Sequence, residues 1–169
     1  MNNEQKFGVI AKCFHWIVAL GVFTMLLLGL IGGKLIIVHK SLGVTILLLM
    51  VLRLIWRWIN PQPSYPSTIS ATEAKLARLI HRLLYVAVFL IILVGLSMSA
   101  LGGHQTYFWG WINVTLPLPL NRQLASIGVY IHLALAWCIV GLLVLHIGAA
   151  LHHHFIRKNN ILRRMWFTD

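Results

Sequence analysis

Four long apolar stretches, separated by shorter polar segments, make up most of the chain and cover approximately residues 14–31, 39–58, 80–101 and 128–154. A helix needs about 20 predominantly apolar residues to cross the hydrocarbon layer of a membrane, and each stretch is close to that length. Spanning strands are excluded because an open sheet edge cannot satisfy its backbone groups in lipid. The pattern predicts an all-α membrane protein, in which a four-helix transmembrane bundle forms one domain over residues 1–169.

The connections between these stretches contain residues that stop helices. Gly32 and Gly33 follow the first stretch, and Pro61 and Pro63 follow the second. The third connection, residues 102–126, is long and rich in apolar and aromatic residues. Aromatic residues favour the membrane interface, so we expect this connection to lie in the outer interface or to cap the bundle.

Composition supports the membrane assignment. Of the 169 residues, 59% are hydrophobic and 10% are charged, whereas soluble domains carry about 25% charged residues. The formal net charge is +11, from 14 Lys and Arg against 3 Asp and Glu. Nucleic-acid-binding proteins place such charge on a wettable face. Here the basic residues interrupt apolar runs, so the predicted partner is the lipid bilayer and nucleic acid is excluded.

The distribution of Lys and Arg predicts the orientation, because cytoplasmic loops are enriched in these residues. Most of them belong to the two tails or to the second connection and its margins: Lys6, Lys12, Arg53, Arg57, Lys75, Arg78, Arg82, Arg157, Lys158, Arg163 and Arg164. The other three, Lys34, Lys40 and Arg122, flank the first and third connections. Both termini are therefore expected in the cytoplasm.

Histidines inside the apolar stretches are the first indication of function, because ionisable residues within a membrane are costly and usually functional. His132 and His146 are fourteen residues apart in the fourth stretch. This spacing puts them on one helix face, about 21 Å apart along the axis. His15 opens the first stretch at the predicted depth of His146, and His39 opens the second at that of His132. The sequence predicts two His pairs, one near each membrane surface.

Haem is the metal group that suits a pair of His ligands. Zinc requires four ligands, whereas haem iron takes four from the porphyrin and leaves two axial positions for imidazoles. Gly43, Gly128 and the small residues 148–150 lie near the four His in the sequence and would leave room for the macrocycle. Small residues also favour ordinary helix packing. Each pair is therefore predicted to bind the iron of one haem.

The chain resembles the bacterial di-haem cytochrome b561 family over nearly its whole length. The matching features are His15-Trp16, His39, the Arg53-Leu-Ile-Trp-Arg57 run, Pro61-x-Pro63, His81, and His132 with His146 before a basic tail. The resemblance implies a multi-pass protein of the bacterial inner membrane with two b haems stacked across the bilayer. It assigns His15 and His146 to the cytoplasmic-side haem, and His39 and His132 to the periplasmic-side haem.

His81 and His153 are candidates for a quinone site near the cytoplasmic side. Quinone reduction takes up protons, and imidazole titrates near neutral pH. His153 follows His146 by seven residues and so shares its helix face. Alternatively, His81 is a polar residue at headgroup level, or it replaces His15 as an axial ligand. The triplet His152, His153 and His154 departs from the pair expected in the family, which leaves open which His takes the family role. Interfacial or structural roles are expected for His104, His152 and His154.

Cations are expected to pair with haem propionates or to attract an anionic electron donor. On the cytoplasmic side, the four arginines between residues 53 and 82 already satisfy the positive-inside pattern, and one or two of them would pair with propionates. On the outer side, Lys40 adjoins His39. Lys40 is therefore the first candidate for binding a propionate or attracting an anion.

The resemblance implies transmembrane electron transfer from superoxide at the periplasmic side to ubiquinone near the cytoplasmic side, which is a superoxide:ubiquinone oxidoreductase reaction. One alternative is a haem b membrane-anchor subunit that relays electrons for a partner dehydrogenase. The other is a non-redox transporter of metals or ions that uses the intramembrane His. The first alternative requires a redox partner subunit, and the second would lack a haem absorption band.

Overall fold

A computed structural model describes residues 6–167 and contains the predicted four-helix bundle. The helices are α1 (Val9–Ile31), α2 (Ile36–Ile59), α3 (Ala71–Leu101) and α4 (Arg122–Leu151). With their adjoining turns, all four are long and apolar enough to cross a membrane. The all-α, four-helix membrane fold is thereby confirmed.

The helices begin earlier than the hydropathy pattern predicts, and for α3 and α4 polar caps decide where they start. Ser70 caps α3: its hydroxyl accepts from the Glu73 amide at 3.2 Å, and the Glu73 carboxylate accepts from the Ser70 amide at 2.8 Å. Asn121 caps α4 by accepting from the Leu124 amide at 3.0 Å. The α-helical part of α4 ends at Leu151 and continues as a π-helical turn, His152–Ile156.

The bundle consists of two closely packed helix pairs, α1 with α2 and α3 with α4, which meet mainly through α2 and α3. The shared core is small and apolar, and it includes Val18, Ile46, Val88 and Ile139. Most other large apolar side chains of the helices are exposed. Such outward apolar surface is suited to lipid, where helices associate by close packing rather than by burial from water.

One end of the bundle, called the hairpin end here, carries a structure that the sequence did not predict. Within the third connection, strands β1 (Tyr107–Phe108) and β2 (Ile112–Asn113) pair in an antiparallel hairpin. Trp109 and Gly110 form its turn with φ of 49° and 80°, a left-handed conformation that favours Gly at the second position. The hairpin packs on α2, so this connection caps the bundle as expected.

The opposite end, called the terminal end, holds the two ends of the described chain together. The Trp16 indole N–H donates to the Met165 carbonyl at 2.9 Å, and the Arg164 guanidinium donates to the Ser64 carbonyl at 2.8 Å. Arg157 forms an ion pair with Glu73 at 2.6 Å. The segment after α4 thus crosses the terminal end of the bundle. It contacts α1, α3 and the connection between α2 and α3.

Gly128→Ala is expected to destabilise the α3–α4 contact. A Cβ at this position would lie 2.8 Å from the Cβ of Met98, and overpacking of this kind costs about 1–3 kcal/mol. Gly141→Ala in the same helix is the matched control, because its Cβ would meet nothing within 4 Å. Thermal unfolding in detergent should show a lower midpoint for Gly128→Ala alone. Equal unfolding midpoints for the two variants would contradict the close approach of α4 to α3 at Gly128.

Candidate functional site

At the hairpin end, α2 and α4 bring His39 and His132 together. Their ring centroids are 6.2 Å apart and the ring planes meet at 63°. Glycines stand beside both rings: a Cβ on Gly29 would lie 3.6 Å from His39 Cε1, and one on Gly95 would lie 3.1 Å from His132 Cε1. The Nδ1 atoms of both His are buried and have no hydrogen-bond partner among the described residues. The structure therefore forms the pair that the sequence predicted from depth.

At the terminal end, His15 of α1 and His146 of α4 form a second pair with nearly the same geometry. Their centroids are also 6.2 Å apart, with an interplanar angle of 65°. The Arg53 guanidinium of α2 lies 3.0 Å from His15 Nδ1. Because a guanidinium has no acceptor, Arg53 donates in this contact and Nδ1 of His15 accepts.

The separation of 6.2 Å can be compared with the distance that two axial imidazoles require. Metal–nitrogen bonds of about 2 Å, plus about 1 Å from each nitrogen to its ring centre, place the two centres about 6 Å apart across one metal. Both pairs meet this distance. The donor set, two imidazoles and no thiolate or carboxylate, is one that haem iron accepts. The residues at both ends therefore fit an axially ligated haem.

His81 of α3 joins the terminal-end pair from the side. Its ring lies 5.0 Å from that of His146, at an interplanar angle of 71°. This separation is shorter than the distance of about 6 Å that imidazoles on opposite faces of one iron require. His146 therefore contacts two imidazoles at the terminal end, those of His15 and His81.

His153 lies nearer the terminal end than His81. The Glu73–Arg157 ion pair fixes the relative depth of α3 and α4. From that level, His81 is eight residues and about 12 Å along α3, whereas His153 is four residues back along the chain, within the π-helical turn. His153 contacts the His152 ring at 5.8 Å and Asn159 Nδ2 at 2.9 Å. Within residues 6–167 it makes no ring contact with His81.

Lys40 is engaged by the hairpin-end loops. Its ammonium donates to Ser99 Oγ at 2.7 Å and to the Gln105 carbonyl at 3.2 Å. Ser99 in turn shares a hydrogen bond of 3.2 Å with the buried Thr106 hydroxyl. The residue that the sequence suggested for attracting anions therefore ties α2 to α3 and to the loop before the hairpin.

The hairpin itself is fixed by side chains of α2 that lie close to Lys40 in the sequence. Ser41 Oγ donates to the Tyr107 carbonyl at 3.1 Å and accepts from the Trp109 amide at 3.2 Å. The Trp109 indole N–H donates to Thr45 Oγ1 at 3.1 Å. These contacts hold Trp109 in its left-handed conformation, in which a non-glycine residue is normally strained.

The remaining predicted residues divide between the two ends. Arg53 and Arg57 lie over the Tyr85 ring at 5.4 and 5.6 Å. At the hairpin end, His104 and Arg122 line a cavity of about 440 Å³ together with Met98. His152 is exposed, and His154 packs on Phe155.

Sequence reasoning missed several residues around the sites. Gly43 and Gly128, chosen for haem space, instead face the side chains of Met25 and Met98. The glycines that face the imidazoles of the hairpin-end pair are Gly29 and Gly95. A depth estimate of the kind used for the His would have found Gly95 in the charge-free run of residues 83–101. Nothing in the linear sequence links Arg53 to His15, because that contact depends on how α1 packs on α2.

The described sites agree with a family match over almost the whole chain: residues 6–168 match the sequence profile of prokaryotic cytochrome b561. The chain belongs to this family. It is similar to cytochrome b561 homolog 2 of Escherichia coli strain K12, with 34% identity over 97% of this chain and 93% of that protein. The family resemblance inferred from the histidine pattern is thereby confirmed.

Two further relatives cover about three quarters of the chain. Cytochrome b561 homolog 1 of the same strain is 33% identical over 75% of this chain and 72% of its own length. A probable superoxide oxidase, CybB of Yersinia pestis, is 30% identical over 76% of this chain and 72% of its own length. As a cytochrome b561, the chain is a bacterial membrane protein of electron transfer, and its family implies haem b as the cofactor.

Lys40→Met should loosen the loop before the hairpin. The variant removes a hydrogen bond from a charged donor, a type worth about 1.5–3 kcal/mol, and leaves Ser99 without this partner. Hydrogen exchange at the amides of residues 104–109 should accelerate about tenfold or more. Lys34→Met removes an exposed cation of the same end and serves as the control. Equal exchange in both variants would show that Lys40 does not hold the loop.

Proposed function

We propose that this cytochrome b561 holds two b haems, one at each end of the bundle, and passes electrons between them across the membrane. His15 and His146 would ligate the haem at the terminal end, and His39 and His132 the haem at the hairpin end. The support is the common separation of 6.2 Å in two pairs that join α4 to different helices, α1 and α2. Haem, when bound, supplies one-electron chemistry, while the protein supplies position and surroundings.

Arg53 has a defined part in this proposal. Ligation of iron through Nε2 of His15 requires the ring proton to be on Nδ1, whereas Nδ1 accepts from Arg53 in the structure. Haem binding would therefore displace the guanidinium from Nδ1. A displaced Arg53 is suited to pair with a propionate, because a charge-assisted bond to a carboxylate is stronger than one to a neutral acceptor.

We infer that the terminal end faces the cytoplasm and the hairpin end the periplasm. The terminal end carries most of the Lys and Arg residues, including both tails, as the positive-inside rule requires. All three acidic residues, Glu4, Glu73 and Asp169, belong to the tails or to the start of α3. Among residues 6–167, the hairpin end therefore has cations and no carboxylate side chains.

Superoxide is the proposed electron donor at the hairpin end. The cavity that contains Arg122 and His104 is also lined by Met98, whose side chain meets Gly128. Gly128 precedes His132 by one helical turn, so the cavity lies close to the proposed outer haem site. A cationic site without opposing carboxylates raises the local concentration of a small anion. The name of the Yersinia relative supports the same donor.

Ubiquinone is the proposed acceptor at the terminal end, near His81 and His153. Two superoxide anions would each lose one electron to give two O2, and one quinone would gain two electrons and two protons to give quinol. His81 lies against His146, and His153 lies in the π-helical turn beyond α4, nearer the terminal end. Two imidazoles at these depths offer hydrogen bonds or protons to the two carbonyl oxygens of a quinone.

The test uses the purified protein in lipid nanodiscs, supplied with superoxide and a short-chain ubiquinone. We expect a b-type absorption band, two haems per chain, and quinol formed at half the rate of superoxide loss above a protein-free control. Turnover that depends on a co-purifying dehydrogenase would favour the anchor-subunit alternative. A preparation without any haem band would contradict the redox proposal and favour the transporter.

His146→Ala should remove about half of the haem, because one of the two proposed sites loses an axial ligand. His39→Ala should have the same effect through the other site. His152→Ala is the control, since His152 is exposed and outside both pairs. Pyridine haemochrome content per chain measures the result. Full haem content in His146→Ala would exclude the proposed ligand pairs.

His81→Ala should retain both haems and slow quinone reduction about tenfold to a hundredfold, the range of a lost proton-transfer group. Haem content and quinol formation are measured on the same sample. Loss of haem in His81→Ala would instead make His81 an axial ligand and contradict the assignment of His15.

A further inference from the structure

We propose that Asn159 is a positioning residue that keeps the ring proton of His153 on Nε2. The ring then presents an N–H donor, rather than a lone pair, to a carbonyl oxygen of the quinone. This inference rests on the proposed quinone site, and it adds a residue that neither helix periodicity nor the family pattern singled out.

The hydrogen bond between the two side chains fixes the tautomer. Asn159 Nδ2 lies 2.9 Å from His153 Nδ1. An amide nitrogen has hydrogens to donate and no lone pair to accept with, so Nδ1 of His153 must be the acceptor. In a neutral imidazole that accepts at one nitrogen, the other nitrogen carries the proton.

The orientation of the Asn159 amide is supported by its second contact. Its Oδ1 accepts from the Ile161 amide at 3.5 Å, which leaves Nδ2 for His153. The backbone reinforces the pairing, because the Asn159 amide donates to the His153 carbonyl at 3.0 Å. Lys158 adopts φ of 51°, and this left-handed residue turns the chain back toward His153 after the π-helical turn.

This arrangement distinguishes His153 from its neighbours in the triplet. Within residues 6–167, the side chains of His152 and His154 make ring contacts, with His153 and Phe155 respectively. His153 is the one whose ring nitrogen has a side-chain partner. It is also half-buried, whereas His152 is exposed. The structure therefore favours His153 as the member of the triplet with a defined chemical role.

The tautomer matters because quinone carbonyl oxygens are hydrogen-bond acceptors. A ring with its proton on Nε2 donates to such an oxygen, whereas a ring with its proton on Nδ1 would present a lone pair to another lone pair. The Glu73–Arg157 ion pair anchors the segment between His153 and Asn159 to α3, so both residues stay at the depth of the proposed site.

The experiment changes the polarity of the hydrogen bond while keeping the shape of the side chain. Asn159→Asp places a carboxylate opposite Nδ1, which favours a proton there because a carboxylate only accepts. Asn160→Asp is the matched control, since it adds the same charge one residue away from the contact with the His153 ring. Both variants are prepared as full-length haem-loaded protein in nanodiscs, and haem content reports folding.

Two measurements separate this inference from the proposed function. The first is the 15N spectrum of His-labelled, reduced protein, with the His153 signals assigned by their loss in His153→Gln. Wild type and Asn160→Asp should show the proton on Nε2, and Asn159→Asp should show it on Nδ1. The second is the KM for ubiquinone, which should rise about tenfold in Asn159→Asp with a smaller change in kcat.

The results have distinct meanings. A wild-type His153 with its proton on Nδ1 overturns the inference, and so does an unchanged quinone KM in Asn159→Asp after the tautomer has switched. If wild type fails to reduce quinone at all, the proposed function fails, and with it the role of His153. In that case the spectrum still decides separately whether Asn159 sets the tautomer.

Discussion

Four imidazoles buried inside the membrane are the constraint on which the rest of the bundle depends, because a buried ring nitrogen needs a polar partner. Burying a polar group without a partner costs several kcal/mol in an apolar medium, of order 2–7 kcal/mol depending on the reference state. Here α4 carries one His near each end, and a second helix supplies a ring at each level. The two pairs therefore join α4 to α1 at the terminal end and to α2 at the hairpin end, and the small apolar core completes that arrangement.

The two ends satisfy their polar groups in different ways. At the hairpin end, hydroxyls and one ammonium link α2 and α3 to the connecting loop, and the ring Nδ1 atoms of the pair have no partner within the described chain. At the terminal end, cations dominate: Arg53 contacts His15, and Arg57 lies over Tyr85. A relay with a direction needs such a difference, since reduction potential depends on charge and hydrogen bonding around the ligands.

The regular parts of the structure could be predicted from the sequence because an α-helix has a fixed rise and period. The spacing of His132 and His146 was enough to estimate depth, and depth led to His15 and His39 as partners in the observed pairs. Lys40 shows the limit of that reasoning. Its sequence position next to His39 suggested that it attracts an anion or binds a propionate. Its hydrogen-bond partners instead lie far along the chain, at Ser99 and Gln105. Contacts of this kind depend on packing, which no local pattern encodes.

The end of α4 shows why the surroundings of His153 were harder to predict than the two His pairs. The expectation for His153 assumed regular helical geometry as far as residue 154, whereas α-helical bonding ends at Leu151 and the Arg157 amide bonds back to the His152 carbonyl at 3.0 Å. A π-helical turn inserts an extra residue and changes the direction of the chain beyond it, and such turns are frequent at functional sites. The turn at Lys158 then brings Asn159 back to His153. The chemistry proposed for the terminal end therefore depends on an irregular segment, whereas the two His pairs depend on regular helices.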